Sequence, residues 1–133
     1  MSLRWYTTVI DCHDVKSQAG WWAEALGWKP IYEADNEVVL VPDYASEEKL
    51  RSMRWEEVPP GLVFVPVPED KTVKNRLHID LAPHTSDDRD AEIARLLDMG
   101  ATRVDVGQSG DVPWDVLADP EGNEFCVLSS REI

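Results

Sequence analysis

The chain has 133 residues, 43% hydrophobic and 29% charged, an ordinary composition for one soluble globular domain with a single core. Thirteen basic residues against twenty-six acidic ones leave a formal charge of -13, which repels phosphate backbones and anionic membrane surfaces and excludes nucleic acid as a natural partner. No apolar run reaches the roughly 20 residues that span a bilayer. The opening stretch MSLRWYTTVIDC enters a strand with no signal-peptide pattern, so a cytoplasmic location without membrane partners is expected. Cys12 and Cys126 lack the CxxC spacing and read as reduced, buried thiols.

Taken in order, WYTTVIDC, from Trp5 to Cys12, is rich in aromatic and β-branched residues and predicts a strand. His13-Asp14 then starts a helix in which Val15, Ala19, Trp22 and Leu26 recur at helical spacing, with Gly27 as the C-terminal cap. WKPIYEA and EVVLVP follow as strands joined at Asp35-Asn36, and GLVFVPV supplies a fourth. The intervening DYASEEKLRSMRWEEVPP is too long for a hairpin turn. It carries its own helix signal, with Ser46 as cap and Glu47 and Glu48 in the first turn. Residues 43–58 read either as a lid or as a solvated insertion, the second leaving Met53 and Trp55 in need of cover.

The second half repeats the plan: NRLHIDLA as a strand, DDRDAEIARLLDMG as a helix, then TRVDVG, VPWDVLAD and NEFCVLS as strands. Asp14 precedes Gly27 by thirteen residues, as Asp87 precedes Gly100. A strand, helix, strand, strand, strand unit is used twice. In RLHIDL the apolar Leu77, Ile79 and Leu81 alternate with Arg76, His78 and Asp80, so the three polar residues share one face.

The doubled βαβββ plan, the Asp-x-x and LG signals of the first helix, and the ending LADPEGNEFCVL resemble the vicinal oxygen chelate superfamily. That group includes glyoxalase I, extradiol dioxygenases and bleomycin-resistance proteins. KTVKNRLHIDLAP is similar to a glyoxalase-like branch within it. The resemblance implies an α+β fold in a single domain, 1–133. Two tandem βαβββ modules, about 4–68 and 74–130, form a curved eight-stranded mixed sheet around a concave pocket. It also implies a homodimer. In metal-dependent members, ligands project from the first, fourth, fifth and eighth strands. Carried onto this chain, those positions fall on Thr7, near Val65, on His78 and on Cys126. Only His78 is a standard ligand there. About three protein ligands are needed to hold a catalytic ion, so no cofactor is expected, a divalent metal (Zn, Ni, Fe or Mn) being the alternative.

Under this resemblance His78 and Asp80 are the candidate catalytic pair, since a histidine beside a carboxylate suits general acid or base chemistry near neutrality. Trp5, Thr7, Val65, Arg76, Trp114, Glu124 and Cys126 are the candidate pocket residues. Because residues two apart in a strand are roughly 6 to 7 Å apart, His78 is expected to approach Asp80 only by leaning or through water. Structural readings stand beside these. Arg76 pairs Asp80, His78 bonds a backbone carbonyl, Cys126 is core filler, Trp114 is core or pocket wall, and the basic cluster Lys71, Lys74 and Arg76 reads either as a charged loop before a strand or as an attractor for a ligand carboxylate or phosphate. His13 and His84 fall at strand ends or in loops.

Three functions follow: a metal-free small-molecule binder with Trp5, Trp55 and Trp114 as stacking walls, an isomerase, lyase or epimerase-type enzyme using His78 on a small oxygenated metabolite, and a metal-dependent glyoxalase or dioxygenase.

Overall fold

A computed structural model describes residues 3–107 and 112–133; Met1 and Ser2 of the opening stretch lie outside them. The chain divides into two compact units, Met1–Glu69 and Asp70–Ile133. Each unit contains its own four-stranded mixed sheet. Among the described residues, no helix is long and apolar enough to cross a membrane.

The first unit runs β1 (Thr7–Cys12), α1 (Val15–Leu26), β2 (Trp28–Ala34), β3 (Glu37–Pro42), α2 (Glu47–Ser52) and β4 (Gly61–Pro66), in sheet order β1-β4-β3-β2. β1 and β4 are parallel, and the other pairs are antiparallel. The Asp14 carboxylate accepts the Ser17 N–H at 3.1 Å and starts α1. Gly27, at φ 67°, ends it in a left-handed conformation that side chains disfavour. Val15, Ala19, Trp21 and Trp22 are buried on this helix, which packs on β2, β3 and β4. Phe64 and Val38 are ladder partners, as are Leu62 and Leu40, and all four are buried. The opposite face of the sheet has the row Val9, Val63, Val39 and Tyr32, of which Val9 and Tyr32 are exposed. Thr7 and Val65 lie on that same open face by register.

The insertion forms α2, capped by Ser46 as its sequence predicts, and a 3-10 turn at Trp55–Glu57. Trp55 does not bury itself. Its ring lies 3.9 Å under the Arg4 guanidinium, whose other neighbour is the Tyr6 ring at 4.8 Å.

The second unit runs β5 (Ile79–Leu81), α3 (Arg89–Asp98), β6 (Thr102–Arg103), β7 (Asp115–Ala118) and β8 (Glu124–Val127), in sheet order β5-β8-β7-β6. Its strands are shorter than the sequence suggests. β5 starts at Ile79, after a bend at Arg76 and Leu77, because upstream of it the Asn75 N–H bonds the Glu124 side chain and not a neighbouring strand. Leu77 is therefore 89% exposed and not part of the core face. β6 ends at Arg103, and the Asp105 carboxylate then accepts the Gly107 N–H at 2.7 Å in a turn. The α3 cap is Asp88, one residue later than the repeat suggests; Asp87 instead accepts the His84 N–H at 3.3 Å.

In this sheet Ile79, Phe125 and Leu117 form one row across β5, β8 and β7. Asp80, Cys126 and Val116 form the next, on the other face. The turn between β7 and β8 is built by Asp119, whose carboxylate accepts the N–H groups of Glu121 and Asn123, each at 3.0 Å. Gly122, at φ 93°, completes it and sets Glu124 at the head of β8.

Candidate functional site

The parallel ladder of β5 and β8 places Asp80 directly beside Cys126. His78 Nε2 lies 3.1 Å from Asp80 Oδ1. One ligating atom from each residue falls within 4.8 Å of the other two. The bend before β5 makes this possible: His78 precedes the strand, so its ring reaches Asp80 directly instead of standing a full strand repeat away. Asp80 is thus paired by His78, not by Arg76.

The environments of the three residues differ. The side chains of His78 and Asp80 are 43% and 47% exposed, whereas Cys126 is only 8% exposed. Burial pushes the Cys126 thiol above its ordinary range, the Asp80 charge pushes it further, and the Lys74 charge opposes both weakly. Burial and the Asp80 charge thus both disfavour a Cys126 thiolate.

Glu124 shares this face but is engaged elsewhere. Its carboxylate meets Lys71 Nζ at 3.0 Å and the Asn75 N–H at 3.1 Å, and its side chain is 13% exposed. Burial raises its pKa, but the Asn75 and Lys71 hydrogen bonds outweigh that and hold the carboxyl below its usual range. It clamps the segment leading into His78. This is a structural role that the sequence hides, since nothing in KTVKNR signals a partner on another strand.

The remaining candidates are placed as follows. Arg76 and Trp114 are exposed residues of the second unit. Trp5, Thr7 and Val65 belong to the first. The exposed Trp5 donates its indole N–H to Thr7 O at 3.2 Å, and Thr7 Oγ1 is buried without a hydrogen-bond partner. Val65 uses its carbonyl to receive the Cys12 S–H at 3.6 Å. His13 donates Nε2–H to Glu69 O at 2.8 Å, and His84 Nδ1 lies 2.7 Å from Ser86 Oγ. Neither histidine belongs to the cluster.

A count of metal ligands at the four superfamily positions finds one imidazole and one thiol. The fold adds Asp80, so nitrogen, oxygen and sulfur donors reach the three that can hold a divalent ion with an open position. Such a site also requires Cys126 to give up a proton that burial and Asp80 both retain.

The family model for a glyoxalase-like domain matches residues 7–128. The chain belongs to the glyoxalase-like domain family. No curated protein matches it. Among solved structures, the glyoxalase-like chain is similar to a glyoxalase/bleomycin resistance protein/dioxygenase family enzyme from Burkholderia phytofirmans PsJN, at 15% identity and a TM-score of 0.67 over 96% of this chain and 98% of that one. It is also similar to the genomically encoded fosfomycin resistance protein FosX from Listeria monocytogenes, at 9% identity and a TM-score of 0.67 over 97% and 93%. A third is the oxidase ChaP-H2, at 17% identity and a TM-score of 0.60 over 97% and 94%. At these identities the likeness is one of fold: the α+β architecture of the vicinal oxygen chelate superfamily.

Proposed function

We propose that this glyoxalase-like protein acts on a small oxygenated metabolite or antibiotic-like ligand at the open face of its second sheet, with His78 as general acid or base and no required metal. The observation that carries this reading is the contact of His78 Nε2 with Asp80 Oδ1 at 3.1 Å. The pair is partly exposed, so a ligand can reach the imidazole, while Asp80 holds the ring in one orientation. Proton removal and return at a substrate carbon or oxygen is the step such a pair supports, of the isomerase, lyase or epimerase type. Arg76 and Trp114 offer charge and aromatic surface on this unit, and a homodimer is the assembly we assign.

The test is a panel of small carbonyl, hydroxy-acid and epoxide compounds, scored for binding by ligand-observed NMR and for turnover, with wild type and His78→Ala. An acid or base role requires that H78A keep binding and lose turnover. Turnover that survives in H78A refutes it, and binding without turnover in both proteins makes the chain a sequestering one.

The three donors within 4.8 Å of one another favour a second reading, metal-dependent chemistry of the glyoxalase I type. His78, Asp80 and a Cys126 thiolate would hold the ion, which as a Lewis acid would polarise an oxygen of the substrate. A native mass spectrum of protein purified without chelator distinguishes the readings: a divalent ion retained by wild type and lost in H78A supports the metal site.

A further inference from the structure

We propose that Lys74 and Arg76 form an oxyanion subsite beside His78, so that the ligand of this face is a small metabolite carrying a carboxylate or phosphoryl group. This names the ligand class for the site proposed above and rests on that reading of the face. The chain carries a formal charge of -13, and a field of that sign repels small anions. An anionic ligand therefore needs a local exception. The stretch before β5 supplies one, with Lys71, Lys74 and Arg76 close together in sequence.

The carboxylates of this stretch leave two of those charges over. Glu124 takes Lys71 Nζ at 3.0 Å and the Asn75 N–H at 3.1 Å, and Asp80 faces His78 Nε2 at 3.1 Å. Among the described residues, neither Lys74 nor Arg76 is paired with a carboxylate. Lys74 Nζ turns back to Asn75 O, at 3.4 Å, and Arg76 is exposed. Elsewhere in this acid-rich chain pairing is the rule: Arg51, Arg54, Arg89, Arg95 and Arg103 each meet a carboxylate.

The backbone keeps the two free charges close to His78. Ile79 pairs with Phe125 in the ladder, yet Asn75, well before it, is already bonded to Glu124, the residue just ahead of Phe125. Several residues on one side thus span a single step on the other, so Arg76, Leu77 and His78 cannot lie extended along β8 and must arch away from it. The bend at Arg76 and Leu77 is that arch, and both residues are exposed on it. Arg76 and His78 share the arch, and Lys74 stands just before its Asn75 anchor.

A guanidinium presents forked N–H donors that match two oxygens of a carboxylate or phosphoryl group, and a nearby ammonium adds a point charge with no demand on geometry. Both groups are solvated, so the attraction is modest and screened by salt. Its use is orientation: a small acid held by its oxyanion has one end fixed close to the imidazole.

The experiment is a chemical-shift titration of the 15N-labelled full chain, stripped of metal with chelator and dialysed, near neutral pH, with chloride holding the ionic strength constant. The probes are pyruvate, its neutral methyl ester and inorganic phosphate. Pyruvate or phosphate should shift the amides of residues 74–78 in a saturable way, and the ester should leave them unmoved. Saturation by pyruvate alone assigns a carboxylate, and by phosphate alone a phosphoryl group. Arg76→Gln and Lys74→Gln should each weaken binding severalfold, and the double variant should abolish it. Lys49→Gln, which removes the same charge from an exposed position of the first unit, should change nothing. No saturable shift with either anion overturns the inference, as does an equal response to the ester or an equal weakening in K49Q. Lys74 and Arg76 are exposed, so their variants are expected to fold. The readout is binding without turnover, so it fails separately from the acid/base reading, which falls if H78A retains turnover.

Discussion

Asp80 and Cys126 are lateral partners in the parallel ladder of β5 and β8, and their carboxylate and thiol lie within 4.8 Å of one another. The consequence for reactivity is direct. The Asp80 charge helps keep Cys126 protonated, so Asp80→Asn should lower the thiol pKa and enlarge its thiolate fraction. We expect Cys126 in D80N to react severalfold faster with a small thiol reagent at pH 7, on the order of the change that a fraction of a pKa unit produces. Peptide mapping separates its label from that of Cys12; an unchanged rate at Cys126 counts against an influence of the Asp80 charge.

Glu124 ties Lys71 and Asn75 to the head of β8. Glu124→Ala leaves the Asn75 N–H and the Lys71 ammonium without that acceptor and should cost about 1–3 kcal/mol. Glu124→Gln keeps an acceptor oxygen and should cost less. Urea unfolding at pH 7 reads both. A neutral E124A would mean the clamp adds nothing to stability.

Asp115 is held by two arginines, with Arg103 Nη1 at 2.6 Å and Arg89 Nη2 at 3.1 Å. The Arg103 hydrogen bond is the largest influence on its carboxyl and, with Arg89, outweighs burial to hold it below the usual carboxylate range. A depressed folded pKa gives stability that is present above the unfolded value of about 3.9 and lost as pH falls through the folded value. Stability measured from pH 5 downward should therefore fall less steeply in Asp115→Asn than in wild type.

Arg89 has a second duty, since it donates to Val127 O and Leu128 O, each at 2.8 Å, where β8 ends. Arg89→Ala should destabilise the protein by about 1–3 kcal/mol through those unsatisfied carbonyls. Amide exchange should be fastest around β8 in that variant. Protection unchanged there would show that water replaces the guanidinium freely.

Gly61 leaves no room for a side chain, because an added Cβ would stand 2.9 Å from Leu40 O across the ladder. The obstacle is backbone, so β3 and β4 must separate to admit it. Gly61→Ala should cost about 1–3 kcal/mol, read as a lowered urea midpoint with an unchanged slope.

Arg4 stacks on the Trp55 ring at 3.9 Å and so anchors the insertion to the residues before β1. Arg4→Ala should lose about 0.5–1 kcal/mol, the value of an exposed cation–π contact. Limited proteolysis should cut residues 43–58 sooner in R4A. Equal cutting rates would make the insertion independent of Arg4.

Local chemistry made much of this fold legible. The Asp14 and Gly27 caps of α1, the Ser46 cap of α2 and the Asp35-Asn36 turn depend on neighbours within a few residues, and each appears where its residues predict. The strand containing His78 was the instructive departure. Alternation in RLHIDL predicts a strand from Arg76, but strands need a partner, and Glu124 draws the Asn75 amide away. That capture lets His78 touch Asp80 directly, which a regular strand would prevent.

By itself the sequence determined the doubled βαβββ plan and the family, because strand and helix periodicities and the DPEGNEF ending are properties of short segments. It also set His78 and Asp80 on one short stretch of chain. Only the tertiary structure decided that Cys126 completes their cluster and that Glu124 is a clamp, not a free pocket carboxylate. Both outcomes depend on which strands pair and in what register. Register is fixed by the packing of a whole sheet and by the turns that feed it, so it cannot be read from any one segment.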